Sequence, residues 1–178
     1  MDTSPLALPF PSAPMVAGVT PRVARAGYKD WGRCDLTFVE LAEGTSVAGV
    51  FTRNVCCSTE VELGREQVVL GRARALVVNA GNSNAFTGYR GREAVEAIMG
   101  QVAAHLGCEP SDVFVSSTGV IGVPLPKDKA RAGVETALTA HLVMPQRPAS
   151  DSFLHDVAAS LRTRFGVDHA TIQIESGE

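Results

Sequence analysis

Apolar residues gather in short runs along this chain, and each run breaks into a cluster of small or polar residues. Val47-Ala48-Gly49-Val50-Phe51-Thr52 and Ala75-Leu76-Val77-Val78 have the length and β-branched content of buried strands. A charged loop, including Leu63-Gly64-Arg65-Glu66, lies between them. From Arg92 to Leu106 the rhythm turns helical: Val95, Ile98, Val102 and Leu106 fall on one stripe, and Gly107 is placed to end the helix. Val113-Phe114-Val115 predicts another short strand. Pro124-Leu125-Pro126 stiffens the next connection, and a proline-opened helix follows from Lys127 to Leu138, with Ala130, Val134 and Leu138 facing inward.

The texture changes after Ala140. His141-Leu142-Val143-Met144 predicts a short strand, and Pro145 to Ala149 a turn. Ser150 or Asp151 can cap a helix running to Phe165, with Phe153, Leu154, Val157, Leu161 and Phe165 inward and Gly166 at its end. His169 to Glu175 alternates polar and apolar, as a half-buried strand does. The pattern therefore predicts an α/β protein in three parts. Residues 1–14, with four prolines, form a disordered lead-in; residues 15–139 form the main domain; residues 140–178 form a β-α-β tail.

Bulk properties narrow the partners. A chain of 178 residues suits one domain with a small appendage, and a net charge of -3 gives no electrostatic reason to expect nucleic acid or anionic membrane. No apolar run approaches the roughly 20 residues needed to span a bilayer, and Met1-Asp2-Thr3-Ser4-Pro5 lacks a signal peptide's basic start. The spacing of Cys34, Cys56, Cys57 and Cys108 matches no zinc ribbon or redox motif, so free, buried thiols in a reducing cytoplasm are expected.

Candidate chemistry sits where two apolar runs end. Leu76-Val77-Val78 breaks into Asn79-Ala80-Gly81-Asn82-Ser83-Asn84, and Val113-Phe114-Val115 into Ser116-Ser117-Thr118-Gly119-Val120-Ile121-Gly122. A Thr hydroxyl and a Gly backbone N–H at the edge of a core are suitable donors to a developing oxyanion, and fixed donors of that kind are worth roughly 3 kcal/mol each. The same residues also suit a glycine-permitted turn with no chemistry. For Asn79, Asn82 and Asn84 two roles stand side by side: supporting a site, or satisfying buried backbone.

Residues 15–139 resemble the ornithine acetyltransferase family, the bifunctional glutamate N-acetyltransferases of arginine biosynthesis. The markers are Val16-Ala17-Gly18-Val19-Thr20, Val47 to Asn54, Gly71 to Asn79, Gly81-Asn82-Ser83-Asn84-Ala85, and Ser117 to Gly122 followed by Pro124-Leu125-Pro126. Several blocks in the right order are more specific than any one motif. The resemblance implies an N-terminal-nucleophile mechanism. A precursor cuts itself before an internal threonine, whose freed amine activates its own hydroxyl to carry acetyl from N-acetylornithine to glutamate. It implies no cofactor. It assigns the oxyanion hole to Thr118 and Gly119. It also implies a partial layered α/β sandwich, completed by a complementary β-chain-like polypeptide, with apolar surface exposed in its absence.

Where the family continues into a Thr-Thr-Asp-Thr stretch, a lysine and the nucleophilic threonine, this chain reads His141-Leu142-Val143-Met144-Pro145. The chain alone is therefore expected to be inert. The tail, with Phe153-Leu154-His155-Asp156-Val157 and Arg164 to Glu175, resembles the C-terminal domain of cation diffusion facilitator transporters, a small zinc-binding, dimerising module. On that resemblance His141, His155, His169 and Glu175 are candidate zinc ligands, since neutral imidazole joined by carboxylate is a common set. Three functions are thus expected to compete: acetyl transfer with a partner chain, a metal-binding or dimerising module, and an inactive fusion remnant.

Overall fold

Strand alternation sets this architecture, because one row of side chains on the sheet is closed and the next is open. The computed structural model describes residues 14, 16–139, 141–143, 159 and 173–175. The main sheet has four strands in the order β1 (Val19–Ala24), β2 (Leu36–Leu41), β3 (Ala75–Asn82), β4 (Val113–Val120). The first two pairings are antiparallel and β3–β4 is parallel. Helices α1 (Thr59–Val68), α2 (Gly88–Leu106) and α3 (Lys127–Thr139) supply the elements between and after the strands. A parallel pair needs a crossover, and α2 provides it between β3 and β4. Two further short strands, β5 (His141–Val143) and β6 (Gln173–Glu175), pair in parallel as a separate sheet.

Register places Ala24, Leu36, Asn79 and Ser117 in one row across the sheet, and Arg22, Phe38, Val77 and Val115 in another. These rows face the helices. Phe38, Val77, Val95, Ile98, Val102 and Val134 are all fully buried, so the core lies between the sheet and the helical layer. Truncating Phe38 to alanine would cost about 3–5 kcal/mol by the usual core scale. The intervening rows, Pro21-Val39-Leu76-Phe114 and Val23-Thr37-Val78-Ser116, lie on the opposite face and are only half-covered or exposed. Val23, for example, is 41% exposed. One face is a core; the other is open and largely apolar.

The structure moves several expected boundaries. Val47 to Thr52 is no strand: the segment is irregular, Val50 is 99% exposed, and only Ser46 makes an isolated bridge, to Arg72. Its neighbour in sequence, β2, is already flanked by β1 and β3 and offers the segment no free edge. Phe51 instead packs on α1, where a β-carbon at Gly64 would stand 2.7 Å from its ring. The expected charged loop at Leu63 to Glu66 is the middle of α1, with Leu63 buried. Strands β1 and β2 carry Pro21, Arg22, Thr37 and Glu40, which break the apolar run that marks a strand in sequence. Helix α2 starts at Gly88 rather than Arg92 and ends, as expected, on Gly107 at φ 64°. The four thiols are unpaired but not buried: Cys56 is exposed, while Cys34, Cys57 and Cys108 are half-buried. Cys34, Cys56 and Cys57 sit in loops outside the core, while Cys108 follows the end of α2 and packs half-buried against the core's edge.

Candidate active site: Thr118 and Gly119 at the end of β4 and the asparagines around them

Thr118 and Gly119 are paired residues of β4, in register with Ala80 and Gly81 of β3, so the turn expected at Thr-Gly begins only after Val120, at Ile121–Gly122. Both apolar runs therefore deliver their polar ends to one place. Alternation along β4 turns Thr118 to the open face of the sheet, where it is exposed. Its hydroxyl makes no hydrogen bond to the described residues. Gly119 has φ +128°, and a β-carbon on it would lie 2.4 Å from the Gly81 carbonyl carbon. Backbone cannot yield at that distance, so only glycine fits. Gly81 has φ +134° itself and lies against Tyr28 and Lys29.

The asparagines lie beneath this strand end, each only 1% exposed. Asn79 donates from Nδ2 to the Asn82 carbonyl at 3.1 Å. Asn82 donates to the carbonyls of Val123 at 3.3 Å and Pro124 at 3.1 Å, which ties the end of β3 to the Pro-Leu-Pro connection. Asn84 has φ 55°, the left-handed region that Asn tolerates better than most residues. Its amide nitrogen donates to the Gly91 carbonyl at 3.1 Å and to Glu60 Oε1 at 3.0 Å, and its Oδ1 accepts from Thr87 Oγ1 at 2.9 Å. The chain next to Thr118–Gly119 is secured from both sides: Ser83 N–H donates to the Val120 carbonyl, and Gly122 N–H to that of Ala85, each at 2.9 Å. Of the two expected roles, the hydrogen bonds carry the second: the amides satisfy the backbone carbonyls of Asn82, Val123, Pro124 and Gly91.

Sequence reasoning missed two members of this network. Ser117 Oγ lies 2.6 Å from Asn79 Oδ1 and donates a short hydrogen bond toward Glu60 Oε1. Ser117 was legible as part of the Ser-Ser-Thr-Gly motif. Glu60 was not, because an acidic residue in the first turn of a helix ordinarily faces solvent and complements the helix dipole. Here it turns inward and is 6% exposed.

Two clefts open elsewhere, neither lined by Thr118 or Gly119. One, of about 330 Å³, is bounded by Cys56, Cys57, Asn84, Thr87 and Arg92. The other, of about 450 Å³, is bounded by Arg72, Arg74, Cys108 and Asp112. Burial pushes the Cys108 thiol up from its ordinary value, with Arg74 opposing and Asp112 and Glu109 adding to the rise.

Of the expected zinc ligands, His155 and His169 lie outside the described residues. His141 and Glu175 fall on β5 and β6, where the register pairs His141 with Gln173 and Val143 with Glu175. The two are thus offset by two positions along the strand pair. Among the described residues no three His, Cys, Asp or Glu side chains gather to hold a metal. No helix among the described residues is long and apolar enough to cross a membrane.

Comparison with known proteins bears on the main domain and on the tail. The ArgJ family model matches residues 21–168. The chain is 50% identical over 161 residues to the arginine biosynthesis bifunctional protein ArgJ of Zymomonas mobilis, which covers 90% of this chain and 39% of that protein. It is 39% identical over 180 residues to the protein of the same name from Nitrobacter winogradskyi, covering 98% and 42% respectively. The fold matches the crystal structure of ornithine acetyltransferase complexed with ornithine from Mycobacterium tuberculosis, with a TM-score of 0.65 and 37% identity over 68% of this chain and 66% of that one. ArgJ of Bacillus halodurans matches with a TM-score of 0.62 at 30% identity, over 66% and 62%. The chain thus spans about two-fifths of the length of these curated relatives. The family match runs past Ala140 to residue 168, and the expected transporter likeness of the tail finds no support. From this span and these identities, the chain belongs to the ArgJ family.

Proposed function

We propose that this chain supplies the oxyanion-hole half of a glutamate N-acetyltransferase that moves acetyl from N-acetylornithine to glutamate in arginine biosynthesis. The observation that carries this reading is the Thr118–Gly119 pair at the C-terminal end of β4. It couples an exposed hydroxyl to a glycine whose backbone no side chain shields, and a buried network underneath holds it. Attack on an acetyl carbonyl places negative charge on one oxygen. Donors fixed before the reaction stabilise that charge without reorganising, at about 3 kcal/mol per donor. The Thr118 hydroxyl and the Gly119 N–H are adjacent and fill those roles.

The nucleophilic threonine and most of the substrate contacts come, in this reading, from a complementary polypeptide. The open sheet face with Val23, Val39, Leu76, Val78 and Phe114 supports it, since a half-covered apolar face of this size favours a covering layer. Exposed Val120, Ile121 and Val123 continue that surface past Thr118. The reaction calls for no cofactor, and the free thiols fit a cytoplasmic setting.

The test is reconstitution. This chain is co-expressed with the part of the Zymomonas mobilis relative that it does not span, and acetyl transfer from N-acetylornithine to glutamate is measured. Transfer by the pair, and none by either chain alone, is the expected result. A stable complex without transfer would overturn the reading.

A further inference from the structure

The carboxylate of Glu60 is a poor choice for stability. It is the second residue of α1, is 6% exposed, and its Oε2 is buried without a hydrogen-bond partner among the described residues. A carboxyl group taken out of water with one oxygen unsatisfied costs free energy that an apolar side chain of similar size would not. What Glu60 does achieve is geometric. Its Oε1 accepts from Asn84 Nδ2 at 3.0 Å and from Ser117 Oγ, so one atom joins α1, the turn after β3, and β4.

Ser117 is the last residue of β4 whose side chain faces the helices; Thr118, Gly119 and Val120 are all exposed. β4 is also an edge strand, paired on one side only among the described residues. The end of an edge strand frays readily unless something ties it down. Beyond Ser117 the strand end is held by backbone bonds, by Ser83 Oγ donating to the Val120 carbonyl at 3.1 Å, and by the glycine contact with β3. Ser117 Oγ, bonded to Glu60 Oε1 and 2.6 Å from Asn79 Oδ1, carries the side-chain tether nearest to Thr118, and Glu60 is the half of it that reaches α1.

We propose that Glu60 is a positioning residue: through Ser117 it fixes the end of β4 and so the Thr118–Gly119 pair, at a cost to overall stability. The importance of that pair rests on the reading above, but the tether itself does not. Amide hydrogen exchange on the full chain tests it, with thermal unfolding alongside, in Glu60→Leu, Glu60→Gln and Ser117→Ala. Removing one hydrogen bond to a charged group should speed exchange of the amides from Thr118 to Ile121 by about tenfold. Glu60→Leu is expected to do so while its unfolding temperature stays level or rises and the amides of Val95 to Val102 remain protected. Ser117→Ala, which leaves α1 untouched, should speed exchange at the same amides. Glu60→Gln keeps an acceptor oxygen and should recover most of the protection.

Unchanged exchange at the strand end in both Glu60→Leu and Ser117→Ala would overturn the proposal. So would faster exchange spread evenly over the chain, or a Gln variant as unprotected as the Leu variant. If the strand end behaves as proposed yet the reconstituted pair transfers no acetyl group, the positioning role stands and the acetyltransferase reading fails.

Discussion

Gly119 and Gly81 face each other across the parallel β3–β4 pair so closely that neither strand has room for a side chain at Gly119. The contact explains how a hydroxyl and an amide can be presented at the end of an edge strand without the strand peeling away. Gly119→Ala should therefore act on backbone, not on packing alone. It combines a positive φ that alanine rarely adopts with a 2.4 Å approach to the Gly81 carbonyl carbon. A loss of about 3 kcal/mol is expected in urea unfolding. A change within experimental error would show that the strand end can shift freely.

Asn84 is the most connected of the three asparagines. Its side chain meets Glu60, Gly91, Thr87 and the Leu125 N–H, and its φ of 55° suits Asn better than Ala. Asn84→Ala leaves buried partners unsatisfied and should destabilise by about 3 kcal/mol or more by equilibrium unfolding. Asn82→Ala loses only the bonds to Val123 and Pro124 and should cost less, about 2 kcal/mol. The reverse order would contradict the network as described.

Asp35 organises the loop that packs against Gly81. Its carboxylate accepts from the N–H groups of Ala26 at 2.6 Å, Gly27 at 3.3 Å and Tyr28 at 2.8 Å, and its carbonyl accepts from Ala80 N–H at 2.8 Å. Asp35→Ala strands three donors and should cost about 3 kcal/mol, visible as an earlier urea midpoint with an unchanged slope. Burial, with Asp35 adding to it, also holds the Tyr28 hydroxyl well above its ordinary range. Tyr28 should therefore show no phenolate absorbance at about pH 10, where a free phenol is half ionised.

The thiols differ in reactivity in a direction that follows from their surroundings. Burial raises Cys108, so at a given pH less of it is thiolate, whereas Cys56 is exposed. At about pH 8, iodoacetamide should modify Cys56 at least about tenfold faster than Cys108, followed by peptide mass spectrometry. Because Cys108 is the raised group, the gap should narrow as pH increases. Faster labelling of Cys108 would place it in a different environment.

What could be read in advance follows from how local each signal is. Helix α2 declared itself because Val95, Ile98 and Val102 repeat at helical spacing and Gly107 closes it. The strand ends that bear Asn79 and Thr118 were visible because an apolar run stops abruptly at residues with side-chain donors. Strands β1 and β2 were hidden because their pairing is non-local and their open face carries mixed residues such as Pro21 and Thr37. Val47 to Thr52 deceived for the opposite reason: its apolar residues are individually strand-like, but the adjacent strand β2 has no free edge, and Phe51 finds its partner on α1. Glu60 was out of reach from sequence, since only the packing of α1 on β4 turns a first-turn acid inward.

The central claim is that Thr118 donates to the oxyanion of acetyl transfer. It is tested most directly by Thr118→Ala in the reconstituted two-chain enzyme, with kcat measured at saturating N-acetylornithine and glutamate. Thr118 is exposed and its hydroxyl is unbonded within the described residues, so the variant should fold and assemble normally. The account predicts kcat lower by about 10²- to 10³-fold with an unchanged unfolding midpoint. A kcat equal to that of the unmodified pair would contradict it.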